Sequence, residues 1–176
     1  IFAEKSWCGL REDSFEYMFR QDYFEKHERL ALEESFDAIK VISGGSRLLP
    51  LNQGKQIAGF AFMQGEDVNP GALFFKYFAQ AIECDCDFAF VDENISNDEI
   101  DTFKSSVRTA EIMLFAFFLN RNTRSDNEEF AHRINSIVAR FADNRPVVAV
   151  VFGNPNAAEM IRANEFVLTF SDSLPS

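Results

Sequence analysis

From residue 57 onward, short apolar runs alternate with stretches in which apolar residues recur every three or four positions. Ile57–Met63, Phe88–Val91, Glu111–Leu119, Val147–Phe152 and Phe166–Phe170 read as strands, the central ones continuous enough in apolar character to be buried on both faces. Between them, Pro70–Glu83, Asn97–Arg108 and Asp126–Ala142 have helical spacing, and Pro155–Arg162 is a shorter helix. On the first helix Leu73, Phe74, Tyr77, Phe78 and Ala81 share one side. On the third, Phe130, Ile134, Ile137, Val138 and Phe141 are in register.

The junctions carry helix-start chemistry. Asn69-Pro70 and Asn154-Pro155 each offer an N-cap followed by proline at the first helical position. Ser96 with Glu99, and Ser125 with Glu128, have the spacing of capping boxes. Four cap signals at four strand-to-helix junctions support strict alternation. The pattern predicts an α/β three-layer sandwich: a mostly parallel sheet of five or six strands with helices on both faces. The preceding residues are less regular. Residues 14–37, with Phe15, Met18, Phe19, Tyr23 and Phe24 at partly helical spacing, read as one or two helices. Phe36–Ile42 reads as a short extended piece, and Gly44-Gly45 and Pro50 mark residues 43–54 as a loop.

With 176 residues the chain fits one domain. Surface scaling predicts burial of about 70% of its unfolded area, enough for a core without metal or disulfide staples. The 21 phenylalanines, against three tyrosines and one tryptophan, must be mostly core. A surplus of them is suited to a face that meets another domain. The net charge of −11, with no dense Lys/Arg run, argues against nucleic acid or an anionic membrane as partner. No apolar run reaches the length of a membrane span. Cys8, Cys84 and Cys86 are odd in number and lack the paired spacing of a zinc site, so no metal is expected. Free thiols favour a reducing compartment such as the cytoplasm. Ile1 is not a natural start, so the chain reads as a piece of a longer protein whose targeting signal lies outside it.

Ligands of open parallel sheets bind beyond the carboxyl ends of the strands. That edge comprises residues 64–69, 92–97, 120–126 and 153–154. It carries Glu66 and Asp67, then Asp92, Glu93 and Asn94, then Arg121, Arg124 and Asp126, and last Asn154. Met63-Gln64-Gly65-Glu66-Asp67 lacks the glycine spacing of a dinucleotide site, and its acids would repel a pyrophosphate. No P-loop is present, so no nucleotide cofactor is expected. Glu66-Asp67 could imitate the acidic pair of a phospho-acceptor domain, but no lysine follows Val147–Phe152. Glycoside chemistry needs two carboxyl groups, and Glu66, Asp67, Asp92 and Glu93 are candidates by position. The usual reading of such loop acids is solvation. Asp126 and Glu128 are explained as helix-start residues. His27 and His132 pair with no nucleophile, and no serine sits in a nucleophile elbow.

Three stretches resemble the family 3 glycoside hydrolases. Glu4-Lys5-Ser6-Trp7-Cys8-Gly9-Leu10 is similar to the end of the last barrel helix in the β-N-acetylglucosaminidase-like branch. Residues 31–51, from Ala31-Leu32-Glu33-Glu34-Ser35 to Leu48-Leu49-Pro50-Leu51, resemble the approach to the second domain. Arg145-Pro146-Val147 through Gly153-Asn154-Pro155, followed by Phe166-Val167-Leu168-Thr169-Phe170-Ser171-Asp172, resemble the late strand, Gly-Asn-Pro turn and closing strand. The resemblance implies a division at residues 1–42, the end of a barrel helix and a linker, and 43–176, a C-terminal α/β domain. It implies a partner, the N-terminal (β/α)8 barrel of the same parent chain, which would carry the Asp nucleophile and bind the carbohydrate substrate. Many members place the acid/base glutamate on a second-domain loop; in the branch favoured here it is a barrel histidine. The expectation is therefore no catalytic residue in this chain, with Glu66, Asp67, Asp92, Glu93 and Asn154 as cleft-edge candidates. A non-enzymatic carbohydrate-binding or interaction module is the alternative.

Overall fold

The computed structural model describes residues 29–30, 33–45, 47–51, 54–64, 69–83, 86–119 and 128–169. The chain divides into two units, residues 39–173 and residues 1–38 with 174–176. In the smaller unit, residues 29–30 and 33–38 are helical, and Arg29 pairs with Glu33 one turn on. Most of the helical region expected over 14–37 lies outside the described residues.

The larger unit is a six-stranded sheet: β1 (Lys40–Ser43), β2 (Ile57–Met63), β3 (Asp87–Val91), β4 (Ile112–Phe118), β5 (Val147–Phe152) and β6 (Glu165–Thr169). The order across the sheet is β1-β6-β5-β4-β2-β3. β1 lies antiparallel to β6, and every other pairing is parallel. Helices α1 (Asn69–Ile82), α2 (Asn97–Ser106) and α3 (Glu128–Ala142) and a 3-10 helix (Pro155–Met160) fill the connections. The alternation read from the sequence is the fold, three layers included.

Strand period divides the core cleanly. Ala58, Phe60 and Phe62 of β2, with Met113, Phe115 and Phe117 of β4, face α2, α3 and the 3-10 helix. Ile57, Ala61 and Met63, with Ile112, Leu114, Ala116 and Phe118, face α1 and residues 48–51. All seven residues of β2 and all seven of β4 are buried, because each strand has a neighbour on either side and a layer over both faces. Gly59 is required by the β2–β4 ladder. A Cβ there would lie 1.7 Å from the carbonyl oxygen of Leu114.

Several expectations need correction. α1 does not bury Leu73, Tyr77 and Ala81, which are exposed; Phe75 is its fully buried phenylalanine, and Phe74 and Phe78 are half-buried. The buried arc is set by Gly71, whose missing side chain lets the helix settle on Ala61, Met63 and Phe90. α1 begins at Asn69, so Asn69 is its first residue and not the cap before it. Phe36–Ala38 is helical, and extension starts only at Lys40, where β-branched Val41 and Ile42 follow. α2 ends at Ser106, and the segment after Asn154 is a 3-10 helix ending at Met160. Two caps are as read. Ser96 and Glu99 form a complete capping box, and the Asn154 side chain accepts from the Asn156 N–H. The Ser125–Glu128 box lies outside the described residues.

Candidate functional site

The order of the strands locates the place where a ligand crevice belongs. From β2 the chain crosses outward to β3 with α1 on one face. It then returns past β2 to β4, with α2 and α3 on the other face. The direction reverses between β2 and β4, so the switch point lies at their carboxyl ends. The loops that follow these strands, 65–68 and 120–127, are outside the described residues, and with them Glu66 and Asp67. The described backbone at these strand ends is well tied. Gln64 N–H donates to Phe118 O at 3.1 Å. Gly153 adopts φ +91°, where a Cβ would come within 2.7 Å of the Leu119 carbonyl oxygen.

The other candidates stand apart. Asp92 and Glu93 follow β3 on an exposed turn, held by Asn94 N–H donating to Asp92 Oδ1 at 2.7 Å. Asn154 follows β5. β4 and β2 lie between β5 and β3, so three inter-strand steps, roughly 14 Å, separate Asn154 from Asp92. The fold therefore keeps Asp92 and Glu93 together and Asn154 away from them. Asn154 already serves as a helix cap, accepting from Asn156 N–H at 3.1 Å.

Two open hollows flank the turn after β3. One, of about 650 Å³, is bordered by Phe90, Asp92, Asn94, Ile95, Glu99 and Phe103. The other, of about 730 Å³, is bordered by Glu93, Asn94, Glu129, His132, Arg133 and Ser136. Arg133 shapes the second, since its Nε donates to Glu93 O at 2.8 Å and its Nη2 to Ile95 O at 2.6 Å. The carboxyl groups held below the ordinary range all have structural partners. Glu99 is held down by the Ser96 hydroxyl and then by the Ser96 N–H. Asp101 is held down by the Arg140 guanidinium and Glu111 by the Lys55 ammonium. Among the described residues, no group of three or more His, Cys, Asp or Glu has metal-site geometry.

Three polar residues of structural weight were not singled out in the sequence. Glu165, 1% exposed, opens β6 and accepts Leu48 N–H on Oε1 at 2.7 Å and Leu49 N–H on Oε2 at 2.8 Å. Two charge-assisted bonds to backbone thereby pin residues 48–49 over the sheet. Arg145 closes α3, donating to Phe141 O and Ala142 O, each at 3.0 Å, and reaches Val107 O at the end of α2 at 2.8 Å. Asn135 donates to Met160 O at 2.6 Å and accepts Arg162 N–H at 2.8 Å, which fixes the 3-10 segment to α3. The available signal was an acid at the head of an apolar strand, for Glu165, and an arginine just past a helix end, for Arg145.

The same architecture is found within two larger proteins of known structure. It is similar to a β-glucoside phosphorylase, BglX, at a TM-score of 0.55 and 15% identity, over 84% of this chain and 27% of that one. It is also similar to a glycoside hydrolase family 3 β-N-acetylglucosaminidase from Paenibacillus sp. str. FPU-7, at a TM-score of 0.53 and 13% identity, over 90% of this chain and 29% of that one. The chain thus spans less than a third of either enzyme. No family model and no curated protein matches the sequence.

Proposed function

We propose that this chain is the second, α/β domain of a family 3 β-glycosidase, and that it is itself non-catalytic. In this reading a (β/α)8 barrel elsewhere in the same polypeptide holds the nucleophile and cleaves the O-glycosyl bond of an N-acetylglucosamine-type or glucose-type β-glycoside. The observation that carries it is the likeness over most of this chain to under a third of two enzymes of β-glycoside chemistry. The division at residues 42–43 into barrel end with linker and second domain belongs to the same proposal, as does the closeness of Glu66 and Asp67 to the cleft.

The edge chemistry supports a non-catalytic role. A glycosidase sets two carboxyl groups across the scissile bond, roughly 5–9.5 Å apart. Asp92 and Glu93 are neighbours on one exposed turn, so the two of them do not face each other across a bond. Exposed Leu73 and Tyr77 of α1 are consistent with a domain that has apolar surface to cover.

The test is turnover of aryl β-N-acetylglucosaminide and aryl β-glucoside by this chain alone and by the longer polypeptide with its barrel, with and without inorganic phosphate. Activity in the longer protein only is the expected result, and the phosphate arm separates hydrolysis from phosphorolysis. Turnover by this chain alone would overturn the assignment. A longer protein that binds sugar without cleaving it would favour a carbohydrate-binding module.

A further inference from the structure

The sheet has two outer strands, and they are finished differently. β1 opens with Lys40, the kind of charge that discourages pairing at an exposed edge. β3 reads Asp-Phe-Ala-Phe-Val, and its ladder runs to β2 alone among the described residues. Among the described residues its other side has no ladder partner, and two of its side chains are partly bare: Phe88 is 36% exposed and Phe90 41%. The hollow of about 650 Å³ is bordered by the consecutive residues Ala89, Phe90, Val91 and Asp92. Met63 and Phe103 border it too, so the hollow opens at the carboxyl end of the strand, toward α2.

Acids predominate around this edge: Lys55, near Asp87, is paired with Glu111, and Arg133, near Glu93, donates to backbone carbonyls. Asp87 stands at the strand's start, Asp92 and Glu93 at its end, and Glu99 on the rim of the hollow. The Ser96 hydroxyl and N–H keep Glu99 ionised. A second copy is a poor occupant. Antiparallel pairing of two β3 strands about Ala89 would bring the Asp87 end of each against the Asp92 end of the other, between chains of net charge −11. A strand with basic ends meets the opposite situation.

We propose that the free edge of β3 is a strand-addition site for an extended polypeptide segment with alternating apolar residues in its middle and lysine or arginine at both ends. Main-chain bonds to β3 supply the affinity, the apolar residues cover Phe88 and Phe90, and the basic ends pair with Asp87 and with Asp92, Glu93 and Glu99. The inference does not depend on the glycosidase reading, and its failure would leave that reading intact.

The probe is a short synthetic peptide of alternating valine and threonine with paired lysines at each end, titrated into the isotope-labelled chain and followed by amide chemical shifts. Two controls accompany it: a twin with glutamates in place of the lysines, and a version N-methylated at alternate residues. The expected result is shifts clustered on residues 87–91, about tenfold weaker binding of the glutamate twin, and loss of binding on N-methylation. The Asp87→Lys, Asp92→Lys double variant, changed only at exposed positions, should reverse the preference between the twins. Equal binding of both twins, retained binding after N-methylation, or shifts elsewhere would overturn the proposal. So would concentration-dependent dimerisation of the chain, by sedimentation, that hides residues 87–91 without peptide.

Discussion

The two faces of the sheet are covered unequally. Among the described residues, one face joins 24 buried residues under two α-helices and a 3-10 helix; the other joins ten under α1 and residues 48–51. On the first face Phe60 stacks on Phe115 at 4.1 Å and meets Phe141 at 4.9 Å, with all three rings fully buried. On the second, Phe75 stacks on Phe88 at 4.5 Å and Phe118 on Phe152 at 4.4 Å, but the outer ring of each pair reaches solvent. The same residue type therefore does two jobs. One face uses phenylalanine to close a core, while the other leaves phenylalanine at a surface. Stability should follow the first face, and interaction with other chains the second.

Truncation on a single strand tests this contrast, because neighbouring positions of β4 point to opposite faces. Phe115→Ala should cost about 4 kcal/mol in urea or thermal unfolding, within the usual range for a fully enclosed ring. Phe118→Ala, at the strand end against half-exposed Phe152, should cost about 2 kcal/mol, and Phe88→Ala about 1 kcal/mol. Equal losses at 115 and 118 would mean that the two faces are packed alike. Gly59→Ala should cost about 3 kcal/mol, because the new methyl meets the Leu114 carbonyl, a backbone group with no rotamer to yield. Its effect should persist in any Phe118 background, since it strains the ladder itself and not either layer.

The sheet was legible in the sequence because continuous apolar runs have one stable solution, burial on both faces between helices. The run of β4, Ile112–Phe118, leaves no polar side on which to expose it. The orientation of α1 was not legible. Six of its fourteen residues are large and apolar, so spacing alone allows several buried arcs, and the choice was made by a glycine. The candidate site was legible only as an edge. Asp92, Glu93 and Asn154 were placed correctly at strand ends, but their separation depends on strand order, which a one-dimensional pattern does not contain. Glu165 was passed over because its partners, the amides of residues 48 and 49, lie more than a hundred positions away.

Glu165 offers a way to loosen the thinner face without touching an apolar residue. Glu165→Gln keeps the volume but leaves a carbonyl for one N–H donor and turns an NH2 group toward the other. The expected cost is about 2 kcal/mol. Faster hydrogen exchange at Leu48 and Leu49 should accompany it, with the α2/α3 face unchanged. Loss spread over both faces would show that residues 48–51 are part of the common core and not a separate cover.

The smallest effects belong to the caps and surface ion pairs of the thicker face, where solvent limits what a charge can add. Ser96→Ala removes the hydroxyl that accepts Glu99 N–H and donates to its carboxylate, and should cost about 1 kcal/mol. The same box makes a pH prediction with a definite sign. The Ser96 hydroxyl and N–H hold the folded Glu99 carboxyl below its unfolded value, and Arg140 does the same for Asp101. A carboxyl lowered on folding adds stability that is fully present above the unfolded pKa. That stability is lost as pH falls through the ordinary carboxylate range and then through the lower folded value. Unfolding midpoints should therefore be flat from neutrality to mildly acidic pH and then decline. Ser96→Ala should reduce the part of that decline due to Glu99, since the backbone N–H of residue 96 remains, and Asp101→Asn should flatten the part due to the Arg140 pair. Added salt should shrink the Arg140 part more than the capping part, because the first is a solvent-screened ion pair and the second is a pair of short hydrogen bonds. An acid decline unchanged in both variants would place its origin elsewhere.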